Sequence, residues 1–326
     1  MNLEQTVAWL REHDDYILTT HEGPDADGLG SLYALAKALW ELGKRAVPLV
    51  SGRVPSKFAF MDPDLMIRGL SRREDLEEVA GTMLVVLDTH DPHYLGTISD
   101  LLLDSMATVL YIDHHEPRNS PPEPSWIDPT ASSTCEMVHE IVTVLGANLP
   151  LDAAEALFTG IVYDTGSFIY SKTSTRTFRA GLDLVGRGVL PYVVHGKMYE
   201  SSSVGALVLQ KLALASLELH AGNRIAVQTM TRTDLERSGA QYEDAEDLIN
   251  IPLQGKTVEV SVFLKQNLEG ILRCSLRSKG SVNVAHIAQS FGGGGHRMAA
   301  GFKATLPLEQ MKRKVLERVL EALERV

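Results

Sequence analysis

The chain has 326 residues, 44% of them hydrophobic, 22% charged and 6% aromatic, a balance that excludes a disordered protein and supplies apolar material for two cores of ordinary domain size. Its formal charge of −11, from 42 Asp and Glu against 31 Lys and Arg, argues against a protein that coats long nucleic acid with a basic surface and leaves room for a small anionic substrate. No run of about 18 apolar residues occurs, and the start MNLEQTVAWLREHDDY has neither the basic opening nor the apolar stretch of a secretory signal, so a cytoplasmic protein without membrane attachment is expected.

In chain order, residues 16–20 read as a first strand, followed by the loop HEGPDADGLG. Residues 31–42 then place Leu32, Leu35, Ala36, Leu39 and Leu42 on one helical face, with Gly43 as terminator. Strands are expected at 46–50, 83–88 and 108–113, and the Pro-rich stretch 116–129 reads as a surface excursion. Helices follow at 134–145 and 151–162, the first behind Ser132 and Ser133 with Thr134 as a candidate N-cap. Short apolar runs alternating with amphipathic segments predict an α/β fold with a parallel sheet flanked by helices. After residue 191 the alternation changes. One apolar helix at 204–219 leads to strands at 224–231, 257–264 and 270–276, a helix at 283–291 and an amphipathic helix at 306–326. Strands that follow one another without helices predict a smaller C-terminal α/β domain with a mixed sheet. The domains are therefore drawn at 1–190 and 221–326, with 191–220 as linker and helix. The apolar face of that helix suits either a domain junction or a homodimer. Cys135 and Cys274 form no CxxC pair, so both are expected as buried free thiols.

The informative pattern is that successive elements of the first half end in a carboxylate or imidazole. His21, Asp25 and Asp27 follow the first strand, Asp88 ends MLVVLD, Asp113, His114 and His115 end TVLYIDHH, and Asp164 follows a helix. In a parallel sheet the carboxyl ends of the strands share one edge, so most of these side chains converge on one crevice. Asp25, Asp27, Asp88 and Asp164 together would repel one another and call for cations. Oxygen and imidazole donors without thiolate suit Mn²⁺ first, with Mg²⁺, Co²⁺ or Fe²⁺ as alternatives. Two divalent ions about 3.5–4 Å apart activate water and clamp a phosphorus centre during in-line attack. In this reading Asp88 bridges the ions, His21 and Asp25 complete one, and Asp27, His114 and Asp164 complete the other. Asp113 then orients a neighbouring imidazole, and His115 donates to a phosphoryl oxygen or to the leaving group. His90 and His93 could extend the metal shell, but HDPHYLG is read as a solvated turn; Asp91, a candidate outer ligand, is left outside the set, His139 and His286 read as packing or capping residues, and Trp126 as a local packing residue rather than an interaction anchor.

The region 256–304 is basic, with seven Lys and Arg against two Glu. By strand alternation Arg273 and Arg277 share a face, which places two guanidinium groups side by side unless an anion separates them. Gly293, Gly294 and Gly295, followed by His296 and Arg297, offer a backbone that a phosphate can approach without Cβ obstruction.

HEGPDADGLGS, VLDTHD, YIDHH and YDTGSF resemble the four motifs of the DHH-family phosphoesterases, and SLRSKGSVNVAHIAQSFGGGGHRMAAG resembles the DHH-associated C-terminal domain. The resemblance implies a metal-binding catalytic domain, a substrate-binding domain, and an active site in the cleft between them. It also implies hydrolysis of short single-stranded RNA or linear dinucleotides to mononucleotides, as by nanoRNases, with dephosphorylation of adenosine 3′,5′-bisphosphate as a companion activity. Cyclic-dinucleotide hydrolysis, inorganic pyrophosphate hydrolysis and a catalytically silent nucleotide sensor are the competing readings.

Overall fold

The computed structural model describes residues 1–70, 83–103, 106, 108–117 and 120–325. Contacts divide the chain into two units, Met1–Ser201 and Ser202–Val326. In the first, β1 (Asp15–Thr20), β2 (Arg45–Ser51), β3 (Arg68–Leu70), β4 (Met83–Leu87), β5 (Val109–Asp113) and β6 (Ser125–Ile127) form a sheet in the order β3-β2-β1-β4-β5-β6. Every pairing is parallel. The sheet is buried on both faces, as parallel sheets with crossover helices are. Leu18, Val85 and Leu87 join one core with the helices, while Ile17, Leu84 and Val86 join Leu95 and Ile98 in the other. The strand order reverses between β1 and β4, and such a switch point opens a crevice at the carboxyl ends of the two strands.

The helices of this unit are α1 (Leu3–Glu12), α2 (Ala26–Glu41), α3 (Thr97–Leu102), α4 (Thr134–Leu145), α5 (Leu151–Asp164), α6 (Thr175–Gly186) and α7 (Pro191–Tyr199). Helices α2, α4 and α5 meet around Cys135, and glycine makes the approach possible. A Cβ on Gly30 would stand 2.5 Å from the Ala156 carbonyl, and one on Gly160 would stand 2.3 Å from Cys135 Sγ and 3.0 Å from the Ala26 carbonyl.

The structure corrects several expectations. Helix α2 begins at Ala26, inside the expected loop, because Asp25 caps it by accepting from the N–H groups of Asp27 and Gly28. Ser133, not Thr134, caps α4, accepting from Glu136 N–H. The Pro-rich excursion contains β6, an edge strand whose Ser125 and Trp126 are buried. Prolines on both sides mask so short a run, and an edge strand tolerates them. The local packing role expected of Trp126 is what the structure shows.

The second unit holds β7 (Glu218–His220), β8 (Ile225–Met230), β9 (Val260–Gln266), β10 (Leu272–Ser278), β11 (Gly294–His296) and β12 (Ala299–Lys303), ordered β11-β12-β10-β9-β8-β7. Strands β8 and β9 are parallel and the other pairs antiparallel, which is the mixed sheet expected. Its helices are α8 (Val204–Ala215), α9 (Arg232–Ser238), α10 (Val284–Gln289) and α11 (Leu308–Leu323). Val262, Leu264 and Leu276 pack with Val284, Ile287, Val315 and Val319 on one face. Helix α8 stops at Ala215 rather than 219, since residues 218–220 pair with β8 as β7. Among the described residues, no helix is long and apolar enough to cross a membrane.

Gly160→Ala should force α5 away from Cys135 and destabilise the protein by about 1–3 kcal/mol, read as a lowered thermal midpoint. An unchanged midpoint would show that α2, α4 and α5 are not in tight contact.

Candidate metal centre

The carboxyl ends of β1 and β4 bring His21 and Asp88 together at the switch point, and Asp25 joins them from the cap of α2. His21 Nε2 lies 3.5 Å from Asp88 Oδ2 and 3.8 Å from Asp25 Oδ1. Its Nδ1–H donates to the Glu22 carbonyl at 3.1 Å, which leaves Nε2 as the free nitrogen facing the carboxylates. A second group, Asp27, His114 and Asp164, gathers from α2, the end of β5 and the last turn of α5. His114 Nε2 lies 3.1 Å from Asp164 Oδ2, 3.6 Å from Asp88 Oδ1 and 3.8 Å from Asp27 Oδ2. Asp88 therefore faces both groups, one with each oxygen.

Asp88 is held in an unusual state. Its backbone has φ +65°, a left-handed conformation uncommon outside glycine, while its N–H still donates to the Ile112 carbonyl. Gly28 lies beneath it: an added Cβ would meet Thr20 Oγ1 at 2.4 Å and Asp88 Oδ2 at 3.3 Å. Asp27 is sealed by the start of α4, accepting from Thr134 N–H at 2.6 Å and Cys135 N–H at 2.8 Å.

The electrostatics follow from burying like charges beside two imidazoles. Burial lifts the Asp27 carboxyl, with Asp164 and Asp25 adding to the effect, to about 6. Burial and the neighbouring carboxylates also push Asp88 well above the usual range. Burial opposes charging of His21, yet Asp25 and Asp88 outweigh it and hold its imidazolium up to about 11. Asp164, Asp27 and Asp88 do the same for His114, up to about 9 against its own burial. Both ring nitrogens of buried His114 are without a well-formed hydrogen bond, as expected for a nitrogen aimed at an ion. The donor set of carboxylate oxygen and imidazole nitrogen fits divalent cations that prefer oxygen and nitrogen.

Asp113 and His115 lie beside these groups. Asp113 Oδ1 is 2.7 Å from His115 Nδ1 and also accepts the His115 backbone N–H at 3.1 Å. Its other oxygen is 2.5 Å from His90 Nδ1. Burial would raise the Asp113 carboxyl, but the contacts with His115 and His90 hold it far below the usual range. His90 was expected to lie outside the site; the chain does turn there, but the turn brings the ring onto Asp113. A histidine two residues beyond Asp88 was the available signal. Thr134 was expected only as a cap, and its hydroxyl instead donates to Asp88 Oδ1 at 3.0 Å. His93 is exposed and pairs with Asp91, His139 pairs with Asp183, and His286 lies in α10 beside Asn283.

In the second unit, Arg273 and Arg277 project from the same face of β10, opposite the buried Leu272, Cys274 and Leu276. The glycine segment is less a free loop than an edge: Gly294, Gly295 and His296 pair with β12. Glycine is needed there for packing, since a Cβ on Gly293 would stand 2.3 Å from the Gly301 carbonyl and one on Gly295 2.5 Å from that of Ala299. Only Gly294 has open space at its Cβ position among these three. Arg297 directs Nε and Nη2 to the Gly280 carbonyl at 3.3 and 3.1 Å.

Known proteins share this organisation. Residues 15–161 match the DHH family, N-terminal domain, and residues 222–325 match the DHHA1 domain. The chain is 30% identical over 315 residues to the bifunctional oligoribonuclease and PAP phosphatase NrnA of Thermus thermophilus, covering 94% of this chain and 90% of that protein. It is 27% identical over 308 residues to the Bacillus subtilis protein of the same name, covering 91% of each. An exopolyphosphatase-related protein from Bacteroides fragilis superposes with a TM-score of 0.86 at 25% identity, over 99% of this chain and 95% of that one.

Binding a divalent cation at His21 or His114 requires the imidazole to lose its proton, so at pH 7 Mn²⁺ addition should release protons and the affinity should rise with pH. Potentiometric titration in weak buffer measures this. Binding without proton release would overturn the charge balance described above.

Proposed function

The chain belongs to the DHH family of phosphoesterases, and on that premise we propose that it hydrolyses short oligoribonucleotides and linear dinucleotides to mononucleotides, with adenosine 3′,5′-bisphosphate as a further substrate. The observation that carries this reading is the placement of Asp88 between two clusters of metal-ligand character at the switch point. His21, Asp25 and Asp88 would hold one divalent ion, and Asp27, His114 and Asp164, with Asp88 shared, the other; Mn²⁺ is the first choice. When bound, such a pair supplies Lewis acidity at the phosphoryl oxygens and activates water.

The protein's own groups account for the rest. His115 Nδ1 is engaged by Asp113, so Nε2 is the nitrogen left to act, on a side chain that is 58% exposed. It would donate to a phosphoryl oxygen or protonate the departing ribose oxygen. Asp113, fixed between His90 and His115, keeps that ring in one orientation. The second unit would supply the substrate phosphate contacts through Arg273 and Arg277, with Gly293, Gly294, Gly295 and His296 lining the approach. Planar guanidinium groups suit phosphate in paired contacts. Recognition of this kind reads phosphate and chain end more than base. The names of the Thermus and Bacillus relatives, which pair oligoribonuclease with PAP phosphatase, support the same substrate classes.

Asp88→Asn should lower kcat on a two- to five-residue RNA with Mn²⁺ by about a thousandfold or more, and retention of most turnover would exclude a bridging role. Arg277→Ala should raise KM with little change in kcat; an unaltered KM would remove Arg277 from the substrate site. On a substrate panel at fixed Mn²⁺, dinucleotides should be cleaved faster than inorganic pyrophosphate or cyclic dinucleotides. The reverse order would favour the pyrophosphatase or cyclic-dinucleotide reading, and binding without turnover of any member would favour a sensor.

A further inference from the structure

Resting on the two-ion reading above, we propose that Thr134 is a positioning residue that fixes two metal ligands at once and thereby sets the geometry between the ion positions. Its hydroxyl has one proton, and that proton is directed at Asp88 Oδ1 at 3.0 Å, nearer than the 3.5 and 3.6 Å of His21 and His114. Its backbone N–H donates to Asp27 Oδ2 at 2.6 Å, while the next N–H, from Cys135, donates to Asp27 Oδ1. Asp27 belongs to one cluster and Asp88 faces both. A single residue thus ties the shared carboxylate to one of the unshared ones.

The surroundings make that tie rigid. Thr134 is fully buried, so its hydroxyl is screened from bulk solvent. As a β-branched residue at the start of a 12-residue helix, it has few side-chain rotamers open to it. The helix itself is pinned. Ser133 caps it, Glu136 accepts from the Ser132 hydroxyl at 2.8 Å, and Arg176 reaches Glu136, Glu140 and Asp128. Helix α4 cannot shift without breaking this network, and Asp27 and Asp88 cannot rotate without leaving Thr134. Groups that orient metal ligands from behind commonly change metal affinity about 10–100-fold when removed.

The experiment compares Mn²⁺ binding to metal-free wild type, Thr134→Val, Thr134→Ala and Thr134→Ser by calorimetry, with thermal midpoints of the metal-free forms and the Mn²⁺ dependence of dinucleotide turnover. Thr134→Val keeps the shape and loses the hydroxyl, so at least one Mn²⁺ should bind about tenfold more weakly or worse, while the midpoint stays near that of wild type. Thr134→Ala should show the same deficit, and Thr134→Ser, which retains the donor, should return Mn²⁺ affinity to within about threefold of wild type. If Thr134→Val fails to fold, the contrast between Ala and Ser carries the same test. Binding curves for Val or Ala that overlay wild type, or a Ser variant as weak as Ala, would overturn the proposal. Wild type that binds fewer than two Mn²⁺ would overturn the two-ion reading instead, and the effect of Thr134 on the remaining ion would still be measured.

Discussion

The constraint on which the rest depends is the mutual repulsion of carboxylates gathered at the edge of one sheet. Asp27 and Asp88 are buried, Asp25 and Asp164 lie close by, and no folded chain keeps such a set ionised without a counterweight. The fold provides part of it. Backbone N–H groups at the start of α4 meet both oxygens of Asp27, the start of α2 meets Asp25, and two imidazoles stand ready to take protons. The remainder is a deficit of positive charge directed inward, and a divalent cation is the natural answer to it. On the proposed function, ion binding and catalysis would share one electrostatic origin.

Much of this was legible in the sequence because the signals are local. Strands ending in Asp88 and in Asp113, His114 and His115 carry their chemistry where the pattern breaks, and a parallel sheet forces those ends together. The carboxylates and imidazoles expected to converge from that argument do lie together in the structure. What stayed hidden is of two kinds. Thr134 and His90 act through contacts over 46 and 23 positions of chain, and nothing in a threonine after two serines, or in a histidine within HDPH, distinguishes a positioning group from a cap or a turn. The start of helix α2 and strand β6 stay hidden for another reason. Glycines and aspartate at the start of α2 have low helix preference in isolation, and burial against α5 overrides it. Prolines around β6 conceal three residues whose strand character comes only from the neighbouring β5.

Glycine has different duties in the two units. In the first, Gly30 and Gly160 let α2, α4 and α5 close around Cys135, and Gly28 lets the start of α2 pass beneath Thr20 and Asp88. In the second, Gly293 and Gly295 let an edge strand lie against β12, which explains a glycine run that composition alone suggests is a mobile loop. The nearby Arg273 and Arg277 share one partly exposed face of β10, and their like charges make that face receptive to an anion in a chain that is acidic overall.

Cys135 lies directly behind the cage, with its thiol 3.3 Å from the Asp27 carbonyl, buried and held neutral by its surroundings. Cys274 is likewise enclosed in the core of the other unit. Each half of the molecule therefore contains its own silent reporter. Alkylation of either sulfur requires that half to breathe, and the two labelling rates give separate clocks for the opening of the cage and of the arginine-bearing sheet, with no foreign probe introduced.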